Sequence, residues 1–354
     1  MSRKPLNLFY REPEPDRWIP YDRYPRKAFR EMLYATGIRR RRPSGQRMVY
    51  QNLKKGLDQA GILYRDNDFQ YIRSHPDELM CIVGKPHLLS EYDWPNPIVF
   101  GASIFDHPVA CPDFWERYPN VRRMLIPGPW MRDMFAEHYP EERLAVWPVG
   151  IDVEEWRPRG LKHEKPERVL LYDKVRWAHD RYEKVIIDPI RKYLREQGIE
   201  IETLRYGHYF PEDLKTALKR CRAVVFLCEH ETQGIAYQQM LASGVPIFAW
   251  DRGGYWQDPN FFPDQVRYGP VSSVPYWDER CGMKFENVKE FRATLDTFWE
   301  KVKAGGFSPR EYIANTLTLE KCARWYRDIA ERAVSDQTTV EPKSPKDRNI
   351  PTDA

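Results

Sequence analysis

The sequence predicts an α/β protein built from two Rossmann-like units. Three observations carry that prediction. A chain of 354 residues exceeds what one hydrophobic core ordinarily organises. Short apolar runs bounded by Gly, Pro or Asp recur along it, as buried parallel strands require. In the second half these runs alternate with segments of helical period, the pattern of a parallel sheet covered on both faces.

Composition sets the class. Hydrophobic residues make up 42% and aromatics 14%, ample for cores. A mean hydropathy of -0.72 and the lack of any apolar run of spanning length exclude an integral helical membrane protein. The N-terminus, MSRKPLNLFYREPEPDRW, has no apolar stretch of the kind a secretory signal needs, so a cytoplasmic location is expected, with the inner face of the membrane as the place of any peripheral contact. The six cysteines, at 81, 111, 221, 228, 281 and 322, form no CxxC pair and are expected to be reduced, mostly core thiols. A net charge of +4 is small for this length and implies no nucleic-acid partner.

Taken in order, Ser44-Gly45-Gln46 opens a helix in which Val49, Leu53 and Leu57 recur every four residues and which closes at Gly61. Strands are expected at Leu79 to Val83, Pro97 to Phe100, Arg123 to Ile126 and Leu144 to Trp147, the last ending in Pro148-Val149-Gly150-Ile151-Asp152. The charged stretch Arg157 to Lys165 reads as an interdomain linker. Then follow strand Arg168 to Tyr172, helix Val185 to Gln197, strand Glu200 to Arg205, helix Glu212 to Arg220, strand Ala223 to Leu227, helix Ile235 to Ser243 and strand Pro246 to Trp250. A helix from about Val288 carries the stripe Val288, Phe291, Leu295, Phe298 and Val302, and the last helix carries Leu319, Cys322, Ala323, Tyr326, Ile329 and Ala330 on one face. The expected division is 1–155, with a helix at about 317–332 added, then 156–316, with a disordered tail over 333–354.

The stretch that carries most chemistry is Cys228-Glu229-His230-Glu231-Thr232-Gln233-Gly234-Ile235-Ala236-Tyr237-Gln238-Gln239-Met240-Leu241-Ala242-Ser243-Gly244-Val245-Pro246. It leaves a strand, crosses a glycine-containing loop and runs through one helix, so it sits at the carboxyl edge where open α/β sheets bind ligands. The helix starting near Ile235 aims free N–H groups and its positive dipole end at that crevice, which suits a diphosphate. Glu231 on the loop can accept hydrogen bonds from hydroxyls, and Gln239, about two turns along, reaches a second set.

This stretch resembles the signature of the group 1, family four retaining glycosyltransferases, S-x-x-E-G-F-G-x-x-x-x-E-A-M-A-x-G-x-P. Glu231, Gly234, Met240, Ala242, Gly244 and Pro246 fit it with a one-residue shift around Met240, while Gln239 replaces the second glutamate, Thr232-Gln233 the Gly-Phe pair and Cys228 the serine. Residues Asn120 to Pro158 resemble the family's strand, helix and N-G-V-D interdomain segment, with Val149 in place of that asparagine. Ser44-Gly45 resembles its phosphate-approaching loop and Asp251-Arg252-Gly253-Gly254 its later glycine pair. The likeness covers roughly residues 5 to 332 and is strongest over 120–160 and 222–254.

The resemblance implies two facing Rossmann-like domains of the GT-B type, a C-terminal helix crossing back to the first, and hexosyl transfer with retention from a nucleotide-diphosphate sugar, UDP- or GDP-linked, to a glycan or lipid-linked acceptor, without a metal or other cofactor. It implies a cation after the first C-domain strand. Lys174 matches that position, Arg181 and Lys184 are alternatives for a second cation, and His107 and its rival Asp106 stand near the family's N-domain histidine, beside Phe105. The expected catalytic set is therefore Lys174, Glu231 and His107, and the donor set adds Gly45, Arg181, Lys184, Gly234, Ile235, Gln239, Gly253 and Gly254. Asp66-Asn67-Asp68 reads as a polar turn rather than a metal site. Arg39-Arg40-Arg41-Arg42 reads either as a solvated, carboxylate-paired run or as a contact for an anionic acceptor or membrane surface. The Trp and Tyr residues of 250–280 read either as core or as platforms for sugar rings. Two alternatives of other classes stay open: a non-catalytic nucleotide-sugar or glycan-binding homologue, motivated by Gln239 and Val149, and epimerase or hydrolase chemistry on the same fold.

Overall fold

The computed structural model describes residues 4–12, 16–38, 44–102, 106–158 and 166–335. Arg39 to Arg42, Phe105, the 159–165 part of the expected linker and the tail from 336 lie outside the described residues.

Two parallel sheets organise the chain. The first contains β1 (Leu6–Phe9), β2 (Tyr64–Asp66), β3 (Met80–Ile82), β4 (Ile98–Gly101), β5 (Val121–Ile126) and β6 (Leu144–Val146), in the order β2-β1-β3-β4-β5-β6. The second contains β7 (Arg168–Asp173), β8 (Glu200–Arg205), β9 (Ala223–Leu227), β10 (Ile247–Trp250) and β11 (Gly282–Phe285), in the order β11-β10-β9-β7-β8. Every pairing in both is parallel. The central strands β7 and β9 are near-continuous runs of Val, Leu, Phe and Tyr because both their faces are covered. In each sheet the winding reverses once, between β1 and β3 and between β7 and β9. At such a reversal the flanking connections leave to opposite faces and open a crevice at the carboxyl edge.

The helix Gly45–Ala60 follows the expected boundaries because its ends are chemically specified. The Ser44 hydroxyl accepts the Arg47 N–H at 3.1 Å as N-cap, and Gly61 closes the helix at φ 64. The helix Val288–Ala304 buries Phe291, Leu295 and Phe298 of its expected stripe, adds Trp299, and leaves Val288 and Val302 partly buried. The expected helix 185–197 is longer. It begins at His179, passes through a π turn over Glu183–Ile187 and continues as Asp188–Glu196, the π turn falling just before Pro189, whose missing N–H interrupts regular helical bonding.

Helix Leu319–Ser335 crosses back onto the first sheet. Ala323, Tyr326, Ile329, Ala330 and Ala333 join the core made by Leu53, Leu57 and Trp147, while Cys322 belongs to the core of the second sheet. Trp147 donates its indole N–H to the Cys322 carbonyl at 2.9 Å. Close approach is permitted by Gly56 and Gly150, where a Cβ would lie 2.4 Å and 2.5 Å from Leu319 backbone atoms. Burying side chains such as Leu319 and Ile329 contributes about 1.5–3 kcal/mol each.

One packing feature cuts across the expected division at 156–316. Trp256, Val266 and Val271, from the connection between β10 and β11, pack into the first sheet's core with Phe114 and Trp130. All six cysteines are free and buried, as expected of core thiols. No helix of the described residues is long and apolar enough to cross a membrane.

Candidate functional site

The carboxyl edges of the two sheets meet at the loop 228–234. Thr232 lies so near Gly128 that a Cβ there would stand 1.9 Å from the Thr232 carbonyl oxygen. Trp130, in the helix Pro129–Ala136 that follows β5, donates its indole N–H to the Glu231 carbonyl at 2.8 Å. The Tyr276 hydroxyl donates to the Pro127 carbonyl at 2.8 Å.

Lys174 follows β7 directly and Glu231 lies on the loop after β9, so the two flank the reversal point of the second sheet. Their ammonium and carboxylate form a direct ion pair, and both side chains are at least nine-tenths buried as residues, at 8% and 7% exposure. Burial, the largest single influence, would lower the Lys174 pKa, but the Glu231 carboxylate acting together with Cys228 and Tyr206 holds the ammonium above its ordinary value. The ammonium also stands 4.4 Å from the centre of the Tyr206 ring. The Glu231 N–H donates to the Ser272 carbonyl at 2.9 Å. Ser272 is in turn held by Asp251, which accepts from the Ser272 hydroxyl at 3.0 Å and the Ser273 N–H at 2.7 Å. Gly253 and Gly254 occupy this same post-β10 loop, both with left-handed backbone.

Gly234 caps the helix Ile235–Ala242 at φ 85, where a side chain would also meet the Tyr237 ring at 2.1 Å, so this position requires glycine. Ile235 touches the cores of both sheets. Gln239 is buried and donates an amide N–H to Met48 Sδ at 3.5 Å, in the first turns of the helix that begins at Gly45. The reversal points of the two sheets thus face one another, with Lys174, Glu231 and Gln239 on one wall and the Gly45 helix terminus on the other.

Three candidates fall elsewhere. Arg181 is exposed beside the Tyr182 ring. Lys184 lines an outer groove of about 760 Å³ with Arg191, Lys192, Arg195 and Arg292. His107 is 2% exposed, accepts the Val109 N–H at 3.2 Å and stacks on Trp256 at 5.7 Å, which separates it from the loop. Burial, with His138 nearby, lowers its pKa to about 4. Asp106, its rival, is exposed and lies within reach of the charges of Asp258, Lys85 and Arg176. Asp66 bonds Tyr50 and Lys54 while Asp68 caps the helix Phe69–Ser74, so that triplet is a turn, and no metal-holding cluster occurs among the described residues. Of the aromatics in 250–280, Trp250 and Trp256 are core and Tyr255 is 52% exposed.

Sequence reasoning missed Arg176. Its guanidinium reaches His230 Nε2 at 3.1 Å, and its backbone N–H, with that of Trp177, donates to Glu229 Oε1 at 2.8 Å. Its signal in the sequence is its place two residues beyond Lys174, nearer to β7 than the alternatives Arg181 and Lys184. His230 is neutral, pushed well below its ordinary pKa by burial and by Arg176, Arg252 and Lys174. Trp256 donates to the same Nε2 at 3.2 Å, which assigns that nitrogen as acceptor and places the proton on Nδ1. That buried Nδ1 and Glu229 Oε2 find no partner among the described residues. Asp173 and His179 pair at 2.8 Å beside β7.

Fold and site together define a two-sheet α/β protein with opposed reversal-point crevices. No protein-family model matches the chain, and no curated protein matches it by sequence. Among solved structures it is similar to accessory secretory protein 1, 2 and 3 of Streptococcus pneumoniae, with 12% identity and a TM-score of 0.46 over 77% of this chain and 56% of that one. It is similar to the lipopolysaccharide outer core galactosyltransferase WaaB, with 11% identity and a TM-score of 0.45 over 77% and 85%. It is also similar to α,α-trehalose 6-phosphate synthase of Burkholderia multivorans, with 10% identity and a TM-score of 0.48 over 83% and 85%. The match spans little more than half the length of the first of these. The two-sheet architecture rests on the strand orders themselves.

Proposed function

We propose that the protein transfers a hexosyl group from a UDP- or GDP-linked sugar to a hydroxyl of a glycan or lipid-linked acceptor, with retention of configuration. The observation that carries this reading is the meeting of Lys174 and Glu231 at the β7–β9 reversal, opposite the Gly45 helix terminus. In this reading Lys174, with Arg176 beside it, balances the negative charge that grows on the diphosphate as its bond to the sugar breaks. Glu231 accepts hydrogen bonds from sugar hydroxyls and the Gln239 amide bonds the ribose. The acceptor oxygen forms the new bond on the face that the diphosphate leaves, and its proton passes to the departing diphosphate oxygen. A nucleotide sugar is a substrate here, and no further cofactor enters the scheme.

A second reading, a binding protein without turnover, is favoured by one observation: Lys174 and Glu231 already satisfy each other in a buried pair that a diphosphate must open. Incubation with labelled nucleotide sugars and hydroxyl acceptors separates the readings. Transfer that falls on Lys174→Ala and on Glu231→Ala supports the first. Stabilisation by nucleotide without turnover supports the second, and freed or altered sugar without an acceptor points to hydrolase or epimerase chemistry. Full transfer in both variants refutes the site assignment.

A further inference from the structure

The connection between β1 and the Gly45 helix carries a helix that buries none of its residues. Helix Arg23–Ala35 has no buried residue, and apolar side chains on and before it face solvent: Trp18 at 70% exposure, Ile19 at 67%, Tyr24 and Phe29 at 60% and Met32 at 51%. At helical period Tyr24, Ala28, Phe29, Met32 and Leu33 fall on one half of the cylinder, and Arg23, Arg26, Lys27 and Arg30 on the other. Residues 16 to 42 hold nine basic and three acidic residues, a net +6 against +4 for the whole chain, so the remainder is net negative. The last four of those basic residues, Arg39 to Arg42, lie outside the described residues.

The segment is shaped from within. Asp22 accepts the backbone N–H groups of Arg17 and Trp18 and the guanidinium of Arg26, each at 2.9 Å, which fixes the Trp18 turn against the first helical turn. Arg17 and Arg26 both place their guanidinium carbons 5.2 Å from the Trp18 ring centre.

An apolar half carrying Tyr24, Phe29, Met32 and Leu33, backed by concentrated positive charge, matches a medium that is apolar beneath and anionic above. A protein groove would cover the apolar half without using the charge. A nucleic acid would use the charge and leave the apolar half in water. The headgroup layer of an anionic bilayer uses both. We propose that Trp18 to Ile38 docks the protein onto an anionic lipid surface, with Phe29 and Met32 inserted and the basic half paired with lipid phosphates. The segment leaves the carboxyl end of β1 and returns at Gly45, so the docked surface adjoins the edge that holds the candidate site. Only the use of this placement, delivery of a lipid-borne hydroxyl, rests on the glycosyl-transfer reading.

The test is sedimentation of the full chain with vesicles of phosphatidylcholine alone or mixed with phosphatidylglycerol. Binding to mixed vesicles is expected to exceed that to neutral ones by about tenfold or more, and to weaken by a similar factor at high salt. Phe29→Glu with Met32→Glu is expected to lower it by about tenfold while leaving the melting temperature unchanged, since neither side chain is buried. Nucleotide-induced thermal stabilisation, measured on the same variant, is expected to match that of the parent, which keeps docking and donor binding separate. Absence of binding to both vesicle types, or equal binding to both, overturns the proposal. So does a dimer that the double substitution dissociates in a protein that ignores vesicles, which would give the face to a second copy of the chain.

Discussion

Gln233 holds Val149 by both of its backbone groups: the Val149 N–H donates to Oε1 at 3.0 Å, and Nε2 donates to the Val149 carbonyl at 2.8 Å. Gln233 stands in the Gly-Phe pair's place in the pattern that the sequence resembles, and its side-chain amide is used to hold the backbone of residue 149. The amide is further fixed by Gln238, which is fully buried. Gln233→Leu leaves two buried backbone groups unpaired, and each such group costs about 1–3 kcal/mol. The variant is expected to unfold at lower denaturant with an unchanged m-value, which urea titration reads directly.

The Lys174–Glu231 pair has a structural and a chemical role that a double-mutant cycle separates. Lys174→Met strands a buried carboxylate and is expected to cost about 3–5 kcal/mol, whereas Lys174→Met with Glu231→Gln recovers most of that loss. Transfer, or nucleotide binding, stays low in both. Recovery of function along with stability would sink the proposed role of the charges.

Gly128→Ala drives a methyl group into the Thr232 carbonyl across the junction of the two halves. The loop carrying Glu231 must move away from Trp130. A stability loss of about 1–3 kcal/mol is expected, with weaker nucleotide-induced stabilisation, both measurable by thermal shift.

Acid is expected to destabilise the packing on the two sides of Trp256, where His107 stacks and His230 is bonded. Because the folded-state pKa of His107 is lowered from 6.5 to about 4, the folded protein binds fewer protons than the unfolded chain between those values. Stability from this group is therefore fully present above pH 6.5 and is lost as pH falls towards 4, with a slope of up to about 1.4 kcal/mol per pH unit. His230, lowered well below its ordinary value, adds to the loss in the same direction. His107→Asn keeps an acceptor for the Val109 N–H but cannot titrate, so its stability should decline less steeply with acid than that of the parent. Chemical denaturation at several pH values tests this.

Thiol accessibility gives an independent check on the cores. Burial pushes Cys81, Cys281 and Cys322 up to about 12, and all six cysteines are buried, so none is expected to react rapidly with a thiol reagent until denaturant is added.

The second sheet is legible where strand and helix segments alternate. β8 and β9 fall within the boundaries read from apolar runs, and Gly61 announced its helix end. β11, Gly-Met-Lys-Phe, escaped because it is short and only its two ends are buried. The loop after β9 and Lys174 after β7 were expected at the carboxyl edge of the second sheet, and they meet there as a buried ion pair. What sequence could not carry were distances between side chains remote along the chain. Trp130 on the Glu231 carbonyl, Met48 under Gln239 and the packing of Trp256 against the first sheet all depend on how the two halves meet.

The returning helix Leu319–Ser335 has a consequence for the order in which the protein is made. Leu53, Leu57 and Trp147 are synthesised before the second sheet, yet the side chains that cover them, Tyr326 and Ala330 among them, emerge only after all of its strands. The nascent first half therefore carries an uncovered apolar face throughout synthesis of the second sheet, and the closing step of its core waits until Leu319–Ser335 has left the ribosome.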